Sequence, residues 1–322
     1  MPFLLSFLVI LIVGLSLISV PVAAQAIGSW KKTTSYPTAL YTQSCVVSGG
    51  YVYCVGGDSA SGYTNAVYFA PVSSSGVGSW KKTTSYPTTI GFGSCVASGG
   101  NIYCVGGFNG AAAIGAVYFA KLSSSGVGVW KSTIPYPIAV DTQKCVVSGG
   151  YVYCVGNFTH FSGAVYYAKL SSSGVGAWES TTNNYPTDIA ETSCVASGGY
   201  IYCVGGYYTN AVYFAPVSSS GVGTWLSATN NYPTDIWDES CVVTGGYVYC
   251  VGGYNGSADT YSSRVYFGKL SSSGVGTWKV TTSYPTTVLY QSCVVSAGYV
   301  YCIGGRSSFS PYYLSAVYYA KL

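Results

Sequence analysis

Charge is scarce in this chain. Only 13 basic and 9 acidic side chains occur in 322 residues, and the net charge of +4 comes from scattered lysines rather than a block. No electrostatic footprint for nucleic acid exists, and none is expected as a partner. Histidine occurs once, at His160, which leaves a zinc site short of ligands. After the first residues there is no long apolar run and no stretch that invites a long amphipathic helix. The apolar runs that remain are five to seven residues long. A strand crossing a bilayer needs about nine to eleven, so a transmembrane β-barrel is excluded as well. What the chain has instead is 34 Tyr, 42 Gly and 16% aromatic residues, a composition of short strands and tight turns.

Residues Phe3 to Ala24 are almost wholly apolar and are followed by Ala24-Gln25-Ala26, the small-x-small pattern of signal-peptide cleavage. Residues 1–26 therefore read as a signal peptide, with a mature chain from Ile27. The segment lacks a leading Lys or Arg and is long enough to span a bilayer, so a retained N-terminal anchor is the alternative. Membrane contact is expected only in that case.

From Trp30 onward one unit of about fifty residues is restated, headed by Trp30, Trp80, Trp130, Trp178, Trp225 and Trp278. Each Trp leads to a Tyr-Pro, then a cysteine-bounded hairpin such as CVVSGGYVYC, a Gly-Gly, a variable loop, and a strand such as AVYFA. Four antiparallel strands per unit follow from the Val- and Tyr-rich runs and the Gly turns between them. A lone four-stranded sheet cannot bury both faces, so the units must stack, and radial stacking with closure makes an all-β, six-bladed β-propeller. The blades run over about 34–83, 84–133, 134–181, 182–228, 229–281 and 282–322. The last lacks its outer strand, while residues 27–33 form an outer strand with no blade, so the N-terminal strand is expected to complete the C-terminal blade and close the ring.

An aliphatic residue and Gly-Gly after the second strand (Val55-Gly56-Gly57, Val105-Gly106-Gly107, Ile303-Gly304-Gly305), a Tyr in the third strand and a Trp opening the fourth make the unit similar to the Kelch repeat. The resemblance covers residues 27–322. It departs at Gly156-Asn157 and in the long interval from Tyr68 to Trp80. It implies a Kelch-like propeller carrying its function on exposed loops. Copper oxidation, which occurs among proteins with such propellers, is disfavoured by the shortage of ligands.

All twelve cysteines fall in six C-x8-C pairs: Cys45 with Cys54, Cys95 with Cys104, Cys145 with Cys154, Cys194 with Cys203, Cys241 with Cys250, and Cys293 with Cys302. Across a hairpin with a two-residue loop, each pair faces at a non-hydrogen-bonded position, where Cα atoms lie about 4.5 Å apart. One disulfide per blade follows, and with it an oxidising, extracellular or cell-surface setting.

One face of the ring carries SGG and SSSGV turns restated in every unit, and the other carries loops that differ freely. Eight of the nine acids lie in those variable loops. The sharpest cluster is Asp188, Glu191, Asp235, Asp238 and Glu239, in YPTDIAETS and YPTDIWDES of adjacent units, expected near the channel mouth. Paired carboxylates serve glycoside hydrolysis or hold Ca2+; otherwise they are solvated loop acids. Trp237 stands among them, with Tyr41, Phe92 and Tyr290 at comparable places, and aromatic rings beside carboxylates suit sugar stacking as well as loop packing. His160 sits in the same set of loops. Asn157-Phe-Thr and Asn255-Gly-Ser are glycosylation sequons on this face.

These readings point to a secreted or cell-surface recognition or adhesion propeller that binds a glycan or protein through its variable face. No resident cofactor is expected, with Ca2+ as the one ion the acids suit. The alternatives are a carbohydrate-active enzyme using the carboxylates of the fourth and fifth units, and a structural cell-envelope component.

Overall fold

The computed structural model describes residues 26–322, so the signal-peptide reading falls almost entirely outside the described residues. Each repeat unit forms one antiparallel sheet. In the first, Ser44–Ser48, Tyr51–Val55 and Val67–Ser73 lie side by side, and the outer strand follows in two pieces, Gly76–Val77 and Lys81–Lys82. Val72 faces Val77 whereas Phe69 faces Lys81, so the outer strand carries one extra residue between the pieces, a β-bulge.

Trp80 sits at that bulge. Its ring meets Tyr36 edge-on at 4.9 Å, and its Nε1–H donates to the Thr34 carbonyl at 3.2 Å. The same Tyr–Trp brace recurs in every blade, ending with Tyr284 against Trp30, and this accounts for the restated Trp and Tyr-Pro of the sequence. Each such edge-on pair adds about 0.5–1.5 kcal/mol beyond its buried area.

The innermost hairpin turns on Gly49 and Gly50, with φ of 56° and 78°, the left-handed pair that a type I′ turn requires. That turn sets the register from Ser48 facing Tyr51 to Cys45 facing Cys54. All six disulfides form as expected, with Cα atoms 4.0–4.1 Å apart, and no described cysteine is free.

The core lies between blades. Val46, Tyr53 and Phe69 of the first blade pack on Ile102, Cys104 and Ala120 of the second, and a comparable cluster fills each of the six seams. The last seam joins Val294, Tyr301 and Val317 to Tyr36, Val52 and Ala70, which makes the ring continuous. Hydrogen bonds repeat the pattern: the Tyr53 hydroxyl donates to the Ser123 carbonyl of the next blade at 2.8 Å, and that of Tyr301 to Ser73 at 2.7 Å. Closure uses the N-terminal strand. Lys31 and Lys32 pair with Tyr319 and Tyr318, Gly28 N–H donates to the Lys321 carbonyl at 2.8 Å, and Ile27 is buried in the last core cluster.

The glycine after each second strand, followed by a second glycine in all blades but the third, is a close-approach device. At Gly304 (φ 61°) an added Cβ would stand 2.7 Å from the Leu40 carbonyl and 2.8 Å from Gln43 Nε2, both belonging to the next blade. Two small ribbons, absent from the sequence reading, extend blades one and five on the variable face. They join Leu40–Tyr41, Asp58–Ser59 and Gly62–Tyr63, and Ile236–Trp237, Tyr254–Asn255 and Thr260–Tyr261.

Candidate functional site

The segment entering each inner strand must reverse sharply, and the residue three before the first cysteine of each unit takes the turn. Thr42, Phe92, Thr142, Glu191, Asp238 and Tyr290 all have φ between 55° and 62°, a conformation rare outside glycine and concentrated at functional sites. They form a belt at the channel mouth. Thr142 N–H donates to Phe92, Phe92 to Thr42, Thr42 to Tyr290, Tyr290 to Asp238, and Asp238 to Glu191, carbonyl by carbonyl at 3.0–3.2 Å. Five of the six links form, and the seam between blades three and four is the open one.

The residue one before the cysteine repeats this asymmetry. Ser44, Ser94, Ser193, Ser240 and Ser292 each accept a hydrogen bond from the first cysteine N–H of the following blade, at 2.9–3.0 Å. In blade three Lys144 replaces the serine, so the same seam lacks its latch and an ammonium lines the mouth instead.

Between these positions lies a third ring. Gln43, Gln143 and Gln291 donate Nε2–H to the carbonyls of Ile303, Val105 and Val251, each at the end of the preceding blade's second strand, at 2.5–2.6 Å. With its amide nitrogen committed, each leaves Oε1 buried without a partner. In blade four Thr192 donates to Val204 of its own blade at 2.9 Å. In blade five Glu239 occupies this position, only 2% exposed, and its Oε2 has no partner.

These rings enclose a chamber of about 190 Å³ lined by Thr42, Gln43, Lys144, Glu191, Asp238, Glu239, Tyr290 and Gln291, among others. The partnerless buried atoms in its wall are all oxygens: Thr42 Oγ1, Thr142 Oγ1, Gln43 Oε1, Gln291 Oε1 and Glu239 Oε2. Below it the channel becomes apolar, a cavity of about 350 Å³ ringed by Val46, Val96, Val146, Val195, Val242 and Val294.

Burial sets the protonation of the chamber. It lifts Glu239 to about 8, against the pull of its own backbone N–H and of Lys144. Burial, then the charge of Glu191, holds Asp238 well above the usual carboxylate range. Glu191 is raised by burial too, opposed by Tyr290 and Lys144. The Tyr290 phenol, pushed far up by burial and by both carboxylates, stays protonated and hydrogen-bonds to Glu191 and Asp238.

Of the five acids grouped from the sequence, three meet here. Asp188 turns outward, exposed, and accepts from Gly163 N–H at 3.1 Å; Asp235 accepts from the Ser257 hydroxyl at 3.4 Å, tying down the loop of its own blade. No group of three or more His, Cys, Asp and Glu among the described residues could hold a metal ion. The aromatic positions divide as well. Phe92 and Tyr290 line the chamber and meet edge-on at 5.4 Å, while Tyr41 packs on both and lies beneath the Arg306 guanidinium at 5.6 Å.

Trp237, expected as a stacking platform, is 8% exposed. Tyr254 stacks on it at 4.6 Å, and Tyr207 and Tyr208 approach at 5.4 and 5.1 Å, so it supports rather than presents a surface. The ring that reaches solvent is Tyr208, 68% exposed, and beside it Phe158 and Phe161 stand exposed with their edges against Tyr207. Together they make an aromatic shelf over blades three to five. Tyr207 N–H donates to the Ala190 carbonyl at 3.0 Å, next to Glu191, so the shelf adjoins the chamber.

His160 lies exposed on the Phe158–Phe161 turn and reaches none of the chamber acids. Asn157, expected to be an available sequon, is 2% exposed with its amide nitrogen buried, so the folded chain offers nothing there to glycosylate. Asn255 is half-buried, its Oδ1 accepting from Thr234 and Ala258.

No family model matches the chain, and no curated protein matches it in sequence. A solved structure described as "Structure of YjhT" is similar in fold, with a TM-score of 0.71 over 88% of this chain and 94% of that one, at 13% identity. At that identity the likeness shows the β-propeller architecture alone.

Proposed function

We propose that this chain is a Kelch-like recognition propeller, secreted or held at the cell surface, that binds a glycan on its variable face. One observation carries the reading. Tyr208, Phe158 and Phe161 expose aromatic rings on a base of Tyr207, Trp237 and Tyr254 packed ring against ring. Exposed rings fixed beside a polar chamber suit a sugar, because the ring takes the apolar C–H face while buried acceptors take hydroxyls. The six disulfides support an oxidising location.

A second reading, glycoside hydrolysis, is favoured by Glu191 and Asp238, neighbouring buried carboxylates with raised pKa values in a cavity. A glycan array probed with residues 27–322 tests both. Binding lost in Tyr208→Ala with the melting temperature kept supports recognition. Products released from a bound glycan, and abolished in Asp238→Asn, support the enzyme. Binding to no glycan overturns the recognition reading and directs the search to a protein ligand or an envelope role.

A further inference from the structure

Every buried atom left without a hydrogen bond in the chamber wall is an oxygen. Gln43 and Gln291, each 5% exposed, cannot turn their amides, because Nε2–H is committed to a neighbouring blade's carbonyl and Oε1 is the free end. Glu239 Oε2 and Thr42 Oγ1 add two more, and Glu191 and Asp238 face the same space. The two glutamine oxygens can only accept, and a buried acceptor without a partner costs about 1–3 kcal/mol, so a ligand that satisfies them must bring donors.

Three ligand chemistries can be compared on that wall. A carboxylated sugar adds a fourth acidic group to a chamber that already holds three acids and one lysine. An N-acetyl group brings one acceptor, one donor and no charge, so it meets the wall oxygens with a single N–H and gains nothing from the acids. An ammonium group brings three donors and no acceptor, and a positive charge that the acids can balance by giving up their protons. The chamber volume of about 190 Å³ equals roughly six waters, far more than a bare ion fills. Phe92 and Tyr290 add aromatic surface to the same wall. The ring of valines below offers a charged group no polar partner, so the acids mark the polar end of the channel.

We infer that the channel mouth takes the free amino group of a hexosamine, its ammonium among Glu191, Asp238 and Glu239 and its hydroxyls on Gln43 and Gln291. The sugar rests on the glycan reading above; the amine rests on the chamber alone. Neighbouring sugar residues then lie outward over Tyr208. Lys144, Asp141, the Tyr290 phenol and Tyr207 are the other titratable groups that act on the acids, with Tyr185 and Tyr232 beside Glu239. Because burial keeps protons on these acids in the empty chamber, an arriving ammonium displaces protons to solvent.

Titration calorimetry at neutral pH, in two buffers of different ionisation enthalpy, tests this with a β-1,4-linked glucosamine tetramer, its fully N-acetylated counterpart, and ethanolamine. The free-amine tetramer should bind roughly tenfold or more tightly than the acetylated one, with proton release. Asp238→Asn, which keeps shape and left-handed backbone, should abolish both the preference and the release. Equal or tighter binding of the acetylated tetramer overturns the amine and leaves the glycan reading standing. Ethanolamine binding with proton release while neither tetramer binds supports an amine site and removes the hexosamine. No binding by any of the three overturns the amine site.

Discussion

The hydroxyl of Tyr290, in the sixth blade, donates to Glu191 Oε1 of the fourth at 3.1 Å, across 99 residues of sequence. The blade between them supplies Asp238, which shares that phenol and whose N–H donates to the Glu191 carbonyl at 3.2 Å. Three blades therefore converge on one buried acidic group, and the properties of that group decide much of how the protein should behave.

Stability should fall as the chamber ionises. Glu239 is raised from its ordinary value of 4.5 to about 8, so its folded form holds a proton that its unfolded form gives up. A raised carboxylate contributes stability fully below the unfolded value and loses it as pH climbs through the folded one. The melting temperature should decline between about 4.5 and 8. Glu239→Gln restores the side chain that blades one, three and six use at this place, and should flatten the decline. At the upper end it should stabilise by roughly 1–3 kcal/mol. Parallel melting curves for variant and parent across that range would contradict the assignment.

Lys144→Ser should restore the missing latch. A serine hydroxyl there meets Cys194 N–H as Ser94 meets Cys145 at 2.9 Å. The added hydrogen bond should contribute about 0.5–1.5 kcal/mol, read as a raised melting temperature. Removing the only ammonium in the wall should also tighten the binding of a cationic ligand. A lowered melting temperature would mean that Lys144 stabilises the acids more than the latch would.

Support and surface should separate by mutation. Trp237→Ala removes a buried ring that Tyr254, Tyr207 and Tyr208 pack against, and should destabilise by about 3–5 kcal/mol. Tyr208→Ala should leave the melting temperature within about 0.5 kcal/mol of the parent, because its ring is exposed. Equal losses in the two variants would show that the shelf is one packed unit rather than a presented surface.

The closing strand should matter for the whole ring. Removal of residues 27–33 takes away the outer strand of the last blade together with Ile27 and the Trp30–Tyr284 brace. The melting temperature should drop by the equivalent of several kcal/mol, with the bared edge promoting aggregation. A truncated protein that melts with the parent would show that closure contributes nothing.

The scaffold was legible because it is periodic. Cys45 facing Cys54, the Trp80 brace and the orphan strand at residues 27–33 all follow from aligning the units with one another. The chamber was half legible. Asp188 and Glu191 stand three residues apart, but Ile189 turns into the core between them and the left-handed turn at Glu191 reverses the chain, so one acid ends outside and the other inside. Thr42, Gln43, Lys144 and Gln291 carried a signal that counting back from each cysteine would have found. Five serines and one lysine occupy one position, and three glutamines and one glutamate another. The burial of Trp237 had no such signal, since it depends on Tyr207 and Tyr208 arriving from the neighbouring blade.

The most direct test of the account is a crystal structure of residues 27–322 with the glucosamine tetramer bound. One saccharide ring is expected against Tyr208 and a terminal amine in the chamber, within hydrogen-bond distance of Asp238 and Gln291 Oε1. Saccharide bound only on the opposite face, at the repeated SSSGV turns, or along the outer lysine-bearing strands would contradict it.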